Sequence, residues 1–345
     1  MTIDSHFNLA FKSLEVFDML KHISFRDNFV FFFTALINSS ICYCFFGITG
    51  AMLGVLTVLF ANTAYSAKKG SNNIFYTGFL LFLIVLAGGI GFLLKLSLLF
   101  YLFLFVVSYF YYVSYDKDIV IDRITPFIVI FACMGTTLPT VTIELPLAYL
   151  TGICISLILL TLLQHKKYDV DAFKRGLFSK ELYRSDKRLA LRAFIYSIFL
   201  FLSLAIPDYL DLYRVYWAPL TFIVLLQPKE VGIIKITLSR FLGSVLGALF
   251  VFSLFHLRLF DTVYFDVVLI AIVTFLMPTF LKLNYVFKTF AFTVFVLLLI
   301  EEAEYWGDPT YLLPYSRVYE TLIGGSVALC ASFVLKQVRR LPRIA

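Results

Sequence analysis

Charge is scarce in this sequence. Only 15% of its 345 residues are Asp, Glu, Lys or Arg, where a soluble domain carries roughly 25%. No sizeable soluble domain fits such a composition. The four histidines (His6, His22, His165, His256) stand apart at the ends of apolar runs, so no metal cluster is visible. The five cysteines (Cys42, Cys44, Cys133, Cys154, Cys330) lie inside apolar runs and form no C-x-x-C pair. They read as small membrane-embedded hydrophobes. There is no Walker loop, no H-E-x-x-H and no nucleophile elbow. This argues against an enzyme and against ATP-driven transport by this chain alone, and no cofactor is implied. Gly88, Gly89 and Gly91 fall within an apolar run and read as packing positions rather than a phosphate cradle.

Apolar residues fill the rest: 61% of the chain, with mean hydropathy +0.91. Lipid offers no partners to backbone N–H and C=O groups, so only helices or a closed barrel can cross it. The apolar runs are continuous rather than alternating, which excludes the barrel pattern. The expected fold is all-α, a polytopic transmembrane bundle of about twelve segments. They lie at 28–46, 49–65, 74–94, 96–114, 124–139, 146–163, 189–206, 214–227, 236–255, 264–280, 284–300 and 318–335. A helix needs roughly 20 residues to cross about 30 Å, so several are short, and 214–227 is the shortest. Residues 1–27 are expected to form a cytoplasmic N-terminal amphipathic segment, and Met1 to His22 lack the apolar run and cleavage site of a signal peptide. Phe7, Ala10, Phe11, Leu14, Phe17 and Leu20 recur there at helical spacing, opposite Lys12, Glu15 and Asp18, as in a surface-lying amphipathic helix.

The net charge of +7 does not point to nucleic acid, because the basic residues sort by loop. With a cytoplasmic N-terminus, 23 Lys and Arg fall on the inner side and four on the outer. This positive-inside bias puts both termini in the cytoplasm. The long polar stretch 164–188 is a cytoplasmic linker between two membrane halves, 28–163 and 189–335, and 336–345 is a basic cytoplasmic tail. The halves read as weak copies at an offset of 166 residues, aligning Arg26 with Arg192 and 49–65 with 215–231. Six plus six segments of the same sense make two parallel six-helix repeats. Short, interrupted segments at matching positions of two halves point to a binding site near the midplane.

The interrupted stretch is Tyr216–Phe250. Arg240 has three readings: it snorkels to the cytoplasmic surface, it attracts an anion through its guanidinium fork, or it pairs with Glu230 or Glu320. Trp217 either stacks on an aromatic substrate or belongs to an interfacial belt. Pro219 kinks or opens its helix and Pro228 ends it. Gln227 either bonds substrate or caps a helix end. Gly243 and Gly247 form G-x-x-x-G on the same face as Arg240 and read as close packing. Glu320, near the start of the last segment, is either a proton carrier or a helix-start residue paired with Arg317. Lys288 either lines a cytoplasmic vestibule or snorkels. Asp27, beside Arg26, reads as half of a surface pair. The topology sets Trp217 near the outer face and Arg240 in the cytoplasmic half, so the two are expected at opposite ends of a path.

The block YWAPLTFIVLLQP, the run SRFLGSVLGALF and the closing SRVYETLIGGSVAL resemble the fusaric acid resistance family of inner-membrane proteins, which includes aromatic carboxylic acid exporters. The features that carry the resemblance are Trp217, Pro219, Pro228, Arg240, Gly243 and Gly247, then Arg317, Glu320, Thr321 and Gly324, within residues 186–338. The first half lacks the tryptophan–proline pair, and the family's large cytoplasmic domain is reduced to the linker. The resemblance implies efflux of small organic anions, energy from the proton gradient, and a periplasmic adaptor protein as partner. Assembly as a homo-oligomer is also open. The alternatives are a passive anion channel and a non-transporting scaffold or assembly subunit of an efflux complex.

Overall fold

A computed structural model describes residues 24–228, 233–256, 263–304 and 312–340. The expected N-terminal amphipathic helix, the end of the basic tail and Glu230 lie outside these residues. All twelve apolar segments fall on helices. Seven of the described helices are long and apolar enough to cross a membrane, and three shorter apolar ones accompany them.

The first of these, α1 (Phe25–Tyr65), is two helices in one. At Gly47 the backbone turns to φ 65°, ψ −155°, a conformation that glycine reaches without a Cβ clash. The amide of Asn38 donates to the carbonyl of Gly54 at 2.8 Å. Sixteen residues of straight helix would separate them by about 24 Å, so the chain doubles back at Gly47. The two arms match the expected segments 28–46 and 49–65. Helices α2 (Ile74–Leu94), α3 (Leu98–Ser114), α4 (Ile119–Thr137) and α5 (Glu144–Gln164) complete the first half. Side-chain caps at Asn73, Ser97 and Asp118 start α2, α3 and α4.

The linker is more structured than a tether. Lys167–Tyr168 (β2) pairs in parallel with Ser71–Asn72 (β1). Two short helices follow, α6 (Ala172–Arg175) and α7 (Lys180–Tyr183). Asp169 is buried and bridges to Lys68 and Arg175. Lys117 donates to the carbonyls of Leu182 and Arg184 at 3.1 and 2.8 Å. These bonds seat the linker on one end of the first half, called here the linker end.

The second half holds α8 (Lys187–Tyr209), α9 (Trp217–Leu225), α10 (Ile233–His256), α11 (Val263–Phe280), α12 (Tyr285–Glu304) and α13 (Leu312–Arg340). Its pairings follow those of the first half. Helix α2 runs along α4, as α10 runs along α12. Helix α5 packs on both arms of α1, as α13 packs on α8 and α9. Across the seams, α3 meets α8 and α11 meets α1. Each seam carries polar bonds near the linker end. Arg192 donates through Nε to the hydroxyl of Tyr112 at 3.0 Å. Asn28 and Thr279 bond each other at 2.8 and 3.0 Å. Asp27 pairs with Lys282 at 2.5 Å, so the surface pair expected for it is made across the seam rather than with Arg26.

Inside the first half, Asn38 is fully buried. Besides Gly54, its Nδ2 faces Thr57 Oγ1, the Gly152 carbonyl and Ser156 Oγ at 2.9 to 3.1 Å. The amide has two protons for four acceptors, and the group ties the arms of α1 to α5.

Candidate functional site

Helix α9 is only nine residues long, about 14 Å against a hydrocarbon core of about 30 Å. Between Tyr209 and Trp217 the chain is non-helical, with Asp211 at φ 49°. Irregular backbone at membrane depth is tolerated where it faces protein or a wet cavity. Pro219 is the third residue of α9. Its missing N–H falls where an N–H would have no partner within the helix. Pro219 therefore sits in the starting turn of α9 and does not kink it, contrary to the sequence expectation. The helix stops at Leu225, three residues before Pro228, which disfavours helix in the residue preceding it.

Helix α13 also departs from expectation. It begins at Leu312 rather than near 318, with Pro314 tolerated in its first turn. Arg317 and Glu320 therefore lie well inside the helix, and the helix-start role read for Glu320 is overturned. Arg317, Glu320, Thr321 and Gly324 occur at i, i+3, i+4 and i+7, one face of the helix. That face meets α9. A Cβ on Gly324 would lie 2.3 Å from the carbonyl oxygen of Ala218, so only glycine permits this approach. One turn away, Glu320 is 0% exposed and its Oε1 accepts from the backbone N–H of Arg214 at 3.0 Å. Beyond it, the Arg317 guanidinium lies over the Trp217 ring, 5.1 Å from Cζ to centroid.

The third contributor is α10. Gly243 and Gly247 face Val286, Thr289, Phe290 and Thr293 of α12, which presses the two helices together. Thr237 lies against Gly325 of α13. Arg240 follows it by one turn and is 4% exposed. Snorkelling is therefore excluded, because the side chain is enclosed by the bundle. Its charge acts on Arg317, as does that of Glu320.

Among the described residues, the result is a buried group that holds the guanidiniums of Arg240 and Arg317, the carboxylate of Glu320 and the start of α9, the positive end of its helix dipole. Several of its polar atoms lack a hydrogen-bond partner among the described residues: Arg240 Nε and Nη2, Arg317 Nη1, Glu320 Oε2 and Ser244 Oγ. Buried polar groups left unpaired are costly, and buried charges more so. Among the described residues, the Glu320 carboxylate stands against Arg317 and Arg240, and the Arg214 charge also acts on it, so cations outnumber it. A carboxylate is the natural complement, since a guanidinium fork accepts it bidentately.

Arg317 also revises the expected separation of Trp217 and Arg240, because one side chain meets the ring of the first and the charge of the second. One face of the Trp217 ring is thereby occupied. Gln227 lies at the other end of α9 and accepts from the Tyr115 hydroxyl at 2.7 Å. Lys288 is exposed on the first turn of α12 and is not part of the buried group. The sequence marks Arg317 as a partner for Glu320, an outer-loop charge and part of the family pattern, but not as a site residue. Its spacing from Glu320 and Gly324 was the available signal.

Residues 201–331 match the family described as Fusaric acid resistance protein-like. The match takes in α9, α10, α11, α12 and most of α13, and it bears out the resemblance in the second half. No curated protein and no solved structure matches the chain.

Proposed function

We propose that this multi-pass membrane protein transports small organic anions, aromatic carboxylic acids among them, with Arg240 and Arg317 as the seat for the carboxylate. One observation carries the reading. Among the described residues, the buried guanidiniums of Arg240 and Arg317 keep unpartnered donors, and the charges of Arg240 and Glu320 both act on Arg317 at the start of a half-length helix. The family match adds transport as the activity. Outward movement across an inner membrane, with both termini in the cytoplasm and Glu320 as proton carrier, is our reading of the charge bias, the family and the burial of Glu320. A periplasmic adaptor is the partner that the resemblance implies.

The same reading includes two six-helix halves related by an axis along the membrane normal. The repeated pairings support it: α2 with α4 and α10 with α12, α3 with α8 and α11 with α1. In this arrangement the approach of Gly152 to Thr57 beside Asn38 matches the approach of Gly324 to Thr221 in the second half.

The test is accumulation of an aromatic acid in cells with the protein, without it, and with Arg240→Ala. The expected result is lower accumulation with the wild type alone. Equal accumulation in all three strains across a broad panel of acids would refute the proposal. Glu320→Gln separates mechanisms: it stops proton-coupled movement and spares a passive channel.

A further inference from the structure

Arginines meet α9 at both ends. At its N-terminal end they are Arg317 and Arg240. At the linker end, the chain leaves the helix at Leu226, and the carbonyl of Pro228 accepts from Arg339 Nη2 at 3.1 Å and Arg192 Nη2 at 3.4 Å. Neither arginine joins an ion pair with a carboxylate among the described residues. Arg339 is exposed and Arg192 is partly buried, so water reaches this end. Arg192 is held by Tyr112, through the bond already described and with its Cζ 5.4 Å from the ring centroid. Tyr115 holds Gln227. These contacts join α3, α8 and α13 to the last residues of the α9 segment.

Two guanidiniums converging on one neutral carbonyl oxygen is an incomplete match. Charge-assisted bonds to a carboxylate are roughly twice as strong as those to a neutral acceptor, and the fork geometry suits two oxygens. We propose that Arg192 and Arg339 form a second carboxylate seat, at the linker end of α9, where the Pro228 carbonyl is the resident stand-in. A small aryl carboxylate takes its place, and the rings of Tyr112 and Tyr115 flank the aryl group. Losing its two donors, the segment 226–228 is released. The ligand binds only the released arrangement and so shifts the population toward it. An anion then opens the way along α9 by the act of binding. This inference rests on the transport reading for its ligand class.

The experiment uses the full chain in lipid nanodiscs, with the five native cysteines replaced by alanine and Leu226→Cys as reporter. Leu226 is 5% exposed, so its labelling by a maleimide reports release. Benzoate is the probe and benzamide its neutral control. Benzoate is expected to raise the labelling rate several-fold and benzamide to leave it unchanged. Arg192→Gln with Arg339→Gln is expected to label fast without benzoate and to ignore it. Arg192→Lys with Arg339→Lys keeps the charge and loses the fork. It is expected to respond at about tenfold higher benzoate, the loss of one charge-assisted bond. Labelling indifferent to benzoate in the reporter chain overturns the proposal, as does acceleration that survives loss of both arginines. Failure of the transport reading looks different: labelling responds to benzoate while cells with and without the protein accumulate the acid equally.

Discussion

The guanidinium of Arg317 rests on the ring of Trp217, from the facing helix. A cation over an indole face gains about 2 kcal/mol or more when both are desolvated. Arg317 is 2% exposed and Trp217 1%, so both meet that condition. Trp217 thus acts as a platform for a charge, and the charge is what a ligand would meet.

Replacing Trp217 by Phe keeps a π face at that position. We expect Trp217→Phe to fold and to weaken benzoate binding less than tenfold. Trp217→Ala should cost about 3–5 kcal/mol of stability. Thermal unfolding in detergent and benzoate titration of both variants check this.

Arg240 is a buried charge with unpartnered donors. Burying a charge whose donors are unpartnered is costly, so its replacement by an apolar residue of similar volume removes that cost. Arg240→Met is therefore expected to unfold at the wild-type temperature or above while losing benzoate binding. A variant that both unfolds early and retains binding would contradict the assignment.

Gly324→Ala should separate α9 from α13, because its Cβ would overlap the Ala218 carbonyl. The expected cost is about 1–3 kcal/mol, with loss of anion binding. Gly89→Ala is the control, since nothing lies within 4 Å of its added Cβ. It should be neutral or slightly stabilising in its helix. The pair is compared by thermal unfolding.

Lys166 gives a pH test outside the membrane-spanning helices. Its ammonium donates to the carbonyls of Tyr65 and Lys68, and burial holds its pKa below the ordinary lysine value. Between the folded and unfolded pKa values the unfolded chain binds the extra proton, so stability rises with pH in that window. Relative to Lys166→Met, the wild type should gain stability as pH climbs toward 10.5. A difference that stays flat or falls would refute the sign.

Much of the fold was legible because hydropathy is a property of segments. The twelve runs fall on helices, and Gly47 lies in the gap left between the first two. The site was less legible. Arg317 reads as loop charge to any window average, because its burial depends on how closely Gly324 lets α13 approach α9. The Asn38 group is invisible for the same reason, since its acceptors come from Thr57, Gly152 and Ser156, far apart in sequence. The strand pairing in the linker was not legible, because a two-residue pairing leaves no periodic trace.

The brevity of α9 bears on voltage. Fixed positive charge stands at each of its ends, Arg317 and Arg240 at one and Arg192 and Arg339 at the other. Water at both ends would gather the potential that a membrane spreads over about 30 Å along about 14 Å of helix and roughly double the local field. In the proposed transport, a monovalent anion moving the length of α9 would then exchange nearly the whole electrical work, about 2.3 kcal/mol per 100 mV, in one step.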